Sequence, residues 1–288
     1  SSRTEARVFR EDLLAGKTVL VTGGGSGLGL SMAKKFASLG ANVAITGRSA
    51  ERLAGAAAGI DVSGERVLTH AGDVRDFAQV EAMVAAVVER FGGIDVLVNN
   101  AAGNFLSATE DLSPNGFNAV VQTVLYGTFN ATLAVGRTMI EAGRGGSILN
   151  IATTYAWTGS AFVVPSAAAK AGVLAMTRSL AVEWAAYNIR SNAIAPGPFP
   201  TEGAWNALMP TPDIEAEARA RIPMHRFGEH DELANLAVFL VSDGARFING
   251  ECVTIDGGEW IGSGGEFNGL TRIPRDALKA ALRAMRGK

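Results

Sequence analysis

Residues 18–29 read Thr-Val-Leu-Val-Thr-Gly-Gly-Gly-Ser-Gly-Leu-Gly, and the fold follows from how that run divides. Its first part, Thr18 to Val21, is β-branched and apolar and predicts a buried strand. Beyond the glycines, Leu28, Met32, Phe36 and Leu39 recur at helical spacing and mark one face of an amphipathic helix. The glycines therefore occupy the turn between a first strand and a first helix. Bare backbone N–H groups and the positive helix end face an anion there, and the missing Cβ atoms let the turn tighten and a phosphate approach. Gly23, Gly27 and Gly29, with Gly25, Ser26 and Leu28 between them, spell G-x-x-x-G-x-G. The run lacks the Gly-Lys-Ser/Thr ending of a P-loop, so the reading is the pyrophosphate of a dinucleotide.

The 288 residues are 48% hydrophobic and 19% charged, which is enough for a well-filled core and too ordered a composition for a disordered chain. A formal net charge of −2 gives no global basic field for nucleic acid. The single cysteine, Cys252, excludes an internal disulfide framework, and no Cys/His cluster has metal-site spacing. His70, His225 and His230 lie far apart and read as surface or core histidines. No apolar run is long enough for a membrane span. Ser1–Arg10 lacks the apolar centre of a signal peptide, and the C-terminal Arg-Gly-Lys is no peroxisomal address. The expected location is cytoplasmic.

Strand Asn42–Thr46 ends in Gly47-Arg48-Ser49, where folds of this kind read the adenosine ribose. Unless it is merely solvated, Arg48 suits the 2′-phosphate of NADP. A helix over Glu51–Ala58 leads to strand Arg66–His70 and the turn Gly72-Asp73-Val74, which places Asp73 to accept from the adenine amino group. Helix Phe77–Phe91 and strand Ile94–Val98 precede the loop Asn99–Phe105. Its paired asparagines, beside Ala101, must be hydrogen-bonded to be tolerated, and are expected to brace strand and cofactor. A long helix is predicted over Pro114–Ala142, strand Ser147–Ala152 leads into Thr153-Thr154-Tyr155, and a second long helix covers Pro165–Ala186. Strand Ser191–Ala195 runs into Pro196-Gly197-Pro198-Phe199. The proline-rich stretch Pro200–Arg226 reads as a mobile flap, before helix Glu232–Leu240 and strand Val253–Ile255. This alternation predicts an α/β chain, one doubly wound parallel sheet flanked by helices. The whole chain reads as one domain with a helical tail from about residue 272. From Arg272 onward six Lys/Arg face one Asp, and Leu278, Leu282 and Met285 form one stripe. The tail either packs on its own or a neighbouring subunit, or meets substrate phosphates.

With G-x-x-x-G-x-G, Asn99-Asn100-Ala101, Lys170 and Pro196-Gly197 in this order, the chain resembles the short-chain dehydrogenase/reductase family from about Gly16 to Gly258. The resemblance implies a single Rossmann-type domain, hydride transfer with a nicotinamide, and a homo-oligomer, usually a tetramer. Lys170 would hold the nicotinamide ribose. The family's usual tyrosine, four residues before the lysine, is replaced by Ser166. Thr153 stands in place of the usual serine, and Tyr126 where members carry a helix asparagine. An aliphatic hydroxyl is a poor substitute for a phenol in general acid catalysis, so simple carbonyl reduction is disfavoured.

Asn99–Phe105, Leu112-Ser113-Pro114-Asn115, Thr153-Thr154-Tyr155 with Thr158-Gly159-Ser160, Phe162–Ser166 and Gly265-Glu266-Phe267-Asn268 together resemble the 2,4-dienoyl-CoA reductases of mitochondrial type. That likeness implies NADPH and an acyl-CoA thioester as cofactor and substrate. Tyr155 and Asn104 would form the oxyanion site for the extended enolate, and Arg75, Phe105 and Ser113 would touch substrate. Ser166 either bonds the ligand or starts the helix after Pro165. Residues 200–207 carry no Lys or Arg where members hold the CoA nucleotide, leaving Arg272, Arg275 or the basic tail to compensate.

Overall fold

The computed structural model describes residues 8–201, 205 and 211–286. Its seven strands are β1 Thr18–Thr22, β2 Asn42–Gly47, β3 Val67–Ala71, β4 Val96–Asn99, β5 Gly146–Ile151, β6 Ile189–Pro196 and β7 Cys252–Ile255. They form one sheet in the order β3-β2-β1-β4-β5-β6-β7, with every neighbouring pair parallel. The chain starts in the middle of the sheet, winds out to β3, then returns to place β4 on the other side of β1. That reversal opens a crevice at the carboxyl ends of β1 and β4, where ligands bind in sheets of this type.

Helices α1 Gly27–Ser38, α2 Ala50–Ala58, α3 Phe77–Phe91, α4 Pro114–Val121, α5 Gly127–Ala142, α6 Tyr155–Thr158 and α7 Val164–Glu183 follow their strands. Both faces of the sheet are covered, so consecutive strand residues are buried alternately in two separate cores. Val19, Val21, Met32, Phe36, Ile45, Leu233 and Val238 fill one. Leu20, Ala44, Val80, Leu97, Val135, Met139 and Ile148 fill the other. This arrangement explains why β1 is buried at all five positions.

The elements match the sequence expectation to within a few residues at their ends. One difference has a physical cause: the helix expected over Pro114–Ala142 contains a π-helical turn, Gln122–Tyr126, between α4 and α5. After it the helix lies against the loop beyond β3, since a Cβ on Gly127 would stand 2.5 Å from Val74 Cγ2. Tyr126 is 51% exposed, so the residue expected at the family's asparagine position faces outward. Within the stretch expected as a flap, Pro212–Arg221 is a helix, while residues 202–204 and 206–210 lie outside the described residues. The tail helix is Arg275–Met285. Of its expected stripe Leu278 is buried, whereas Leu282 is 39% and Met285 82% exposed. No described helix is long and apolar enough to cross a membrane.

Candidate active site

The glycine turn is shaped by close approach. A Cβ on Gly29 would lie 2.4 Å from both Asn100 Nδ2 and the Gly23 carbonyl, so α1 can meet the end of β1 only without one. Gly23 has φ +64°, the left-handed region that glycine enters without strain. Ser49, Asp76 and Ser113 cap the N-termini of α2, α3 and α4 with side-chain oxygens, whereas Ser26 makes no such bond to α1. No acidic residue lies in the first turn of α1 either. That N-terminus keeps its N–H groups and its positive dipole for an external anion. The cradle of Gly23, Gly25, Ser26, Gly27, Leu28 and Gly29 thus fits a pyrophosphate.

Asn100 braces this turn as expected. Its Nδ2 donates to the carbonyls of Thr22 and Gly23, both at 3.1 Å, while its N–H and that of Ala101 donate to Thr22 Oγ1. Asn99 belongs to a buried chain: its Nδ2 donates to Thr132 Oγ1 and Asn150 Oδ1, and Asn150 Nδ2 donates to Thr177 Oγ1. Such a network fixes the ends of β4 and β5 against α5 and α7.

Tyr155 follows β5 by way of Thr153 and Thr154, and α6 returns its ring over the first turn of α7. The Tyr155 hydroxyl lies 3.0 Å from Ser166 Oγ. Ser166, 2% exposed, lies in the first turn of α7, which begins at Val164, and does not cap it. The same helical face, one turn on, carries Lys170, whose Nζ donates to the Ile151 carbonyl. Burial pushes the Lys170 ammonium down to about 8. A phenol, a hydroxyl and a buried amine therefore converge at the carboxyl end of β5. Asn104 lies in the exposed loop after β4, its Oδ1 accepting from the Phe105 N–H at 2.9 Å. Its amide N–H groups bond to nothing among the described residues.

The nucleotide end is lined by charge. Arg48 is exposed beyond β2 and has no hydrogen bond or ion pair among the described residues. Arg52, which the sequence reading passed over, lies one helical turn further on with Cγ 3.6 Å from a Cβ built on Gly25. Asp73 and Arg75, expected to meet adenine and substrate respectively, bind each other in this structure. Arg75 Nε donates to both Asp73 oxygens at 3.0 and 2.9 Å. That guanidinium holds the Asp73 carboxyl below its ordinary range. Val74 lies beside the pair, and its carbonyl accepts from Asn130 Nδ2.

Three further residues of the expected site also have partners within the fold. Phe199 is 7% exposed and its ring packs on Gly228, where a Cβ would stand 2.3 Å away. Its ring is part of the core. Gly197 is required by the close approach of Asp256, 2.6 Å from a built Cβ. Ser113 accepts from the Gly116 N–H as the cap of α4. Thr201, in contrast, was missed: its Cγ2 lies 3.4 Å from a Cβ built on Gly27, which sets it directly beside the pyrophosphate turn. Its position just past the Pro-Gly strand end was the available signal.

Large apolar side chains rim the site. Phe105 is 42%, Leu106 54% and Phe162 59% exposed, and the Ser107 N–H donates to the Phe162 carbonyl, joining the two loops. Trp157, on the short helix of Tyr155, meets Trp260 edge-to-face at 5.6 Å. Exposed apolar surface concentrated at one place marks a binding face.

A Rossmann-type sheet with an uncapped glycine turn and a buried lysine beside a hydroxyl pair defines a nicotinamide-dependent oxidoreductase. The chain belongs to the short-chain dehydrogenase/reductase family, and its residues 23–259 match the family model described as enoyl-(acyl carrier protein) reductase. It is 47% identical to a probable 2,4-dienoyl-CoA reductase, (2E)-enoyl-CoA-producing, of Bacillus subtilis over 85% of this chain and 97% of that protein. It is 38% identical to the peroxisomal 2,4-dienoyl-CoA reductase, (3E)-enoyl-CoA-producing, of Arabidopsis thaliana over 96% of this chain and 93% of that one. A short-chain dehydrogenase from Bacillus anthracis, 46% identical, superposes with a TM-score of 0.79 over 85% of this chain and 97% of its own.

Proposed function

We propose that this chain is an NADPH-dependent 2,4-dienoyl-CoA reductase of unsaturated fatty acid degradation. The observation that carries the reading is the Tyr155–Ser166 hydroxyl pair at 3.0 Å. It supplies a phenol beside the position where this chain carries Ser166 in place of the family's usual tyrosine. Likeness to relatives named for this reaction supports it.

NADPH, when bound, supplies the hydride that adds to the far end of the diene. Tyr155 and the Asn104 amide donate to the thioester oxygen, where the charge of the resulting extended enolate collects. Fixed donors aimed at a developing oxyanion stabilise it without reorganisation. Ser166 aims the phenol, and Lys170 holds the ribose hydroxyls and contributes positive potential. Solvent returns a proton to carbon: at the α-carbon this yields the 3-enoyl-CoA, at the γ-carbon the 2-enoyl-CoA. We assign the 3-enoyl product, because donors on the thioester oxygen leave the α-carbon the electron-rich neighbour.

Arg48, with Arg52 beside it, carries the preference for NADPH over NADH. The apolar rim of Phe105, Phe162, Trp157 and Trp260 suits an acyl chain. The exposed Phe129 and Val182, on the α5 and α7 faces, suit a homotetramer interface. One catalytic domain working in the cytoplasm is consistent with a single cysteine.

The test is oxidation of NADPH with a 2,4-dienoyl-CoA, run beside acetoacetyl-CoA and a simple 2-enoyl-CoA, with the product's double bond located by NMR. Turnover of the dienoyl substrate alone, giving the 3-enoyl-CoA, is expected. Turnover of acetoacetyl-CoA alone would overturn the reading. A 2-enoyl product would keep the reductase and overturn the proton's destination.

A further inference from the structure

Of the three histidines, His230 alone bridges two parts of the cofactor crevice. It opens the helix His230–Val241, which packs on α1. Its Nδ1 lies 2.7 Å from Ser31 Oγ, in the second turn of α1, and its Nε2 lies 2.6 Å from the Pro200 carbonyl. Ser31 Oγ also stands 3.1 Å from the carbonyl of Gly27, the first residue of α1. Pro200 is the residue before Thr201, whose methyl touches the position of a Cβ on Gly27.

The hydrogen inventory sets the direction of these bonds. A carbonyl only accepts, so Nε2 carries a hydrogen and donates to Pro200. Ser31 has a single hydroxyl hydrogen, which goes either to Nδ1 or to the Gly27 carbonyl. In the second case Nδ1 donates to Ser31 instead, which takes a ring carrying a hydrogen on both nitrogens. The bond to Pro200 stands in both arrangements. The ring thus fastens the segment leaving β6 to the body of α1, whichever way the serine turns.

We propose that His230 is a positioning residue for the nicotinamide cofactor. It holds Pro200 and Thr201 against the first turn of α1, so that Thr201 closes the pyrophosphate site beside Gly27. His230 itself touches neither the cofactor nor the reacting atoms. The inference rests only on the glycine turn as a dinucleotide site, and it stands or falls separately from the choice of dienoyl-CoA as substrate.

The experiment is titration of the full chain with NADPH, followed by the fluorescence of the bound reduced nicotinamide, so no acyl-CoA turnover is needed. His230→Phe keeps the ring's bulk and removes both polar contacts; it is expected to raise the NADPH Kd about tenfold, the size of one well-made hydrogen bond. His230→Gln keeps an N–H that reaches the Pro200 carbonyl, and its Kd is expected to stay within about threefold of the parent. Where turnover is measured, kcat at saturating NADPH should fall by no more than about twofold in either variant, with the loss in the cofactor KM. A His230→Phe variant that binds NADPH like the parent would overturn the proposal. So would equal weakening in the Phe and Gln variants, since the carbonyl bond would then not be the cause.

Discussion

Tyr155 Oη and Ser166 Oγ stand 3.0 Å apart, so the phenol reaches from the end of β5 to the helix turn that precedes Lys170. If the thioester oxygen rests on this phenol, Tyr155→Phe should lower kcat by about 10²–10³, as for loss of one oxyanion donor. Ser166→Ala, which only frees the phenol, should cost roughly tenfold. In the double variant the two losses should not add, because the serine acts through the tyrosine. Steady-state kinetics with saturating dienoyl-CoA reads all three. Additive losses would separate the two hydroxyls.

Much of this was legible in the sequence because it rests on local chemistry. The β1–turn–α1 unit, the alternation of strands and helices, and the turns after β2 and β3 follow from periodicity and glycine placement. What escaped depends on contacts between distant segments. Nothing near Ser166 announces that its partner is a tyrosine eleven residues earlier. Nothing near Phe199 states that its ring is claimed by Gly228. The Asp73–Arg75 pair was within reach, since the two lie on one turn with opposite charge, but each residue was read for a ligand and neither for the other.

Lys170 gives a pH prediction with a definite sign. Its folded value, about 8, lies below the ordinary lysine value of 10.5. Below pH 8 both folded and unfolded chains carry the charge, and the fold bears its burial cost, on the order of 3 kcal/mol. Between about pH 8 and 10.5 the folded chain sheds the proton first, so this penalty is relieved as pH rises. Lys170→Met should therefore raise the urea midpoint of the cofactor-free protein at pH 7, and the gain should shrink toward pH 10. The same variant should lose nearly all turnover. In the parent, the positive potential at the site should fade as pH passes 8, lowering activity. A pH-independent stability difference would refute the buried charge.

Phe199 separates packing from binding. Its ring belongs to the core that also holds Val21, Ile45 and Leu233, and truncation of a buried phenylalanine costs about 3–5 kcal/mol. Phe199→Ala should lower the thermal midpoint by many degrees. Phe199→Leu should retain most stability, and with it an NADPH KM within about twofold of the parent, since uniform binding is untouched. A large KM change in a stably folded Phe199→Leu protein would return the side chain to the cofactor site.

On the proposed NADPH reading, Arg48 selects between the two nicotinamide cofactors by charge at one point. Its guanidinium is exposed just beyond β2 and unpaired among the described residues, while its field helps to hold the Asp73 carboxyl low. A 2′-phosphate placed there gains a charge-assisted pair that a bare ribose hydroxyl does not. Arg48→Asp removes that pair and sets a carboxylate near Asp73, where a second anion is repelled. The NADPH KM should rise at least about tenfold, a loss within the range for hydrogen bonds to charged groups. The NADH KM should fall, because the new carboxylate accepts from the 2′-hydroxyl. Arg52→Gln should shift the same ratio in the same direction by less, as its stem already lies against Gly25. Matched titrations of both variants with NADPH and NADH measure this ratio, and an unchanged ratio in Arg48→Asp would assign the preference for phosphate elsewhere.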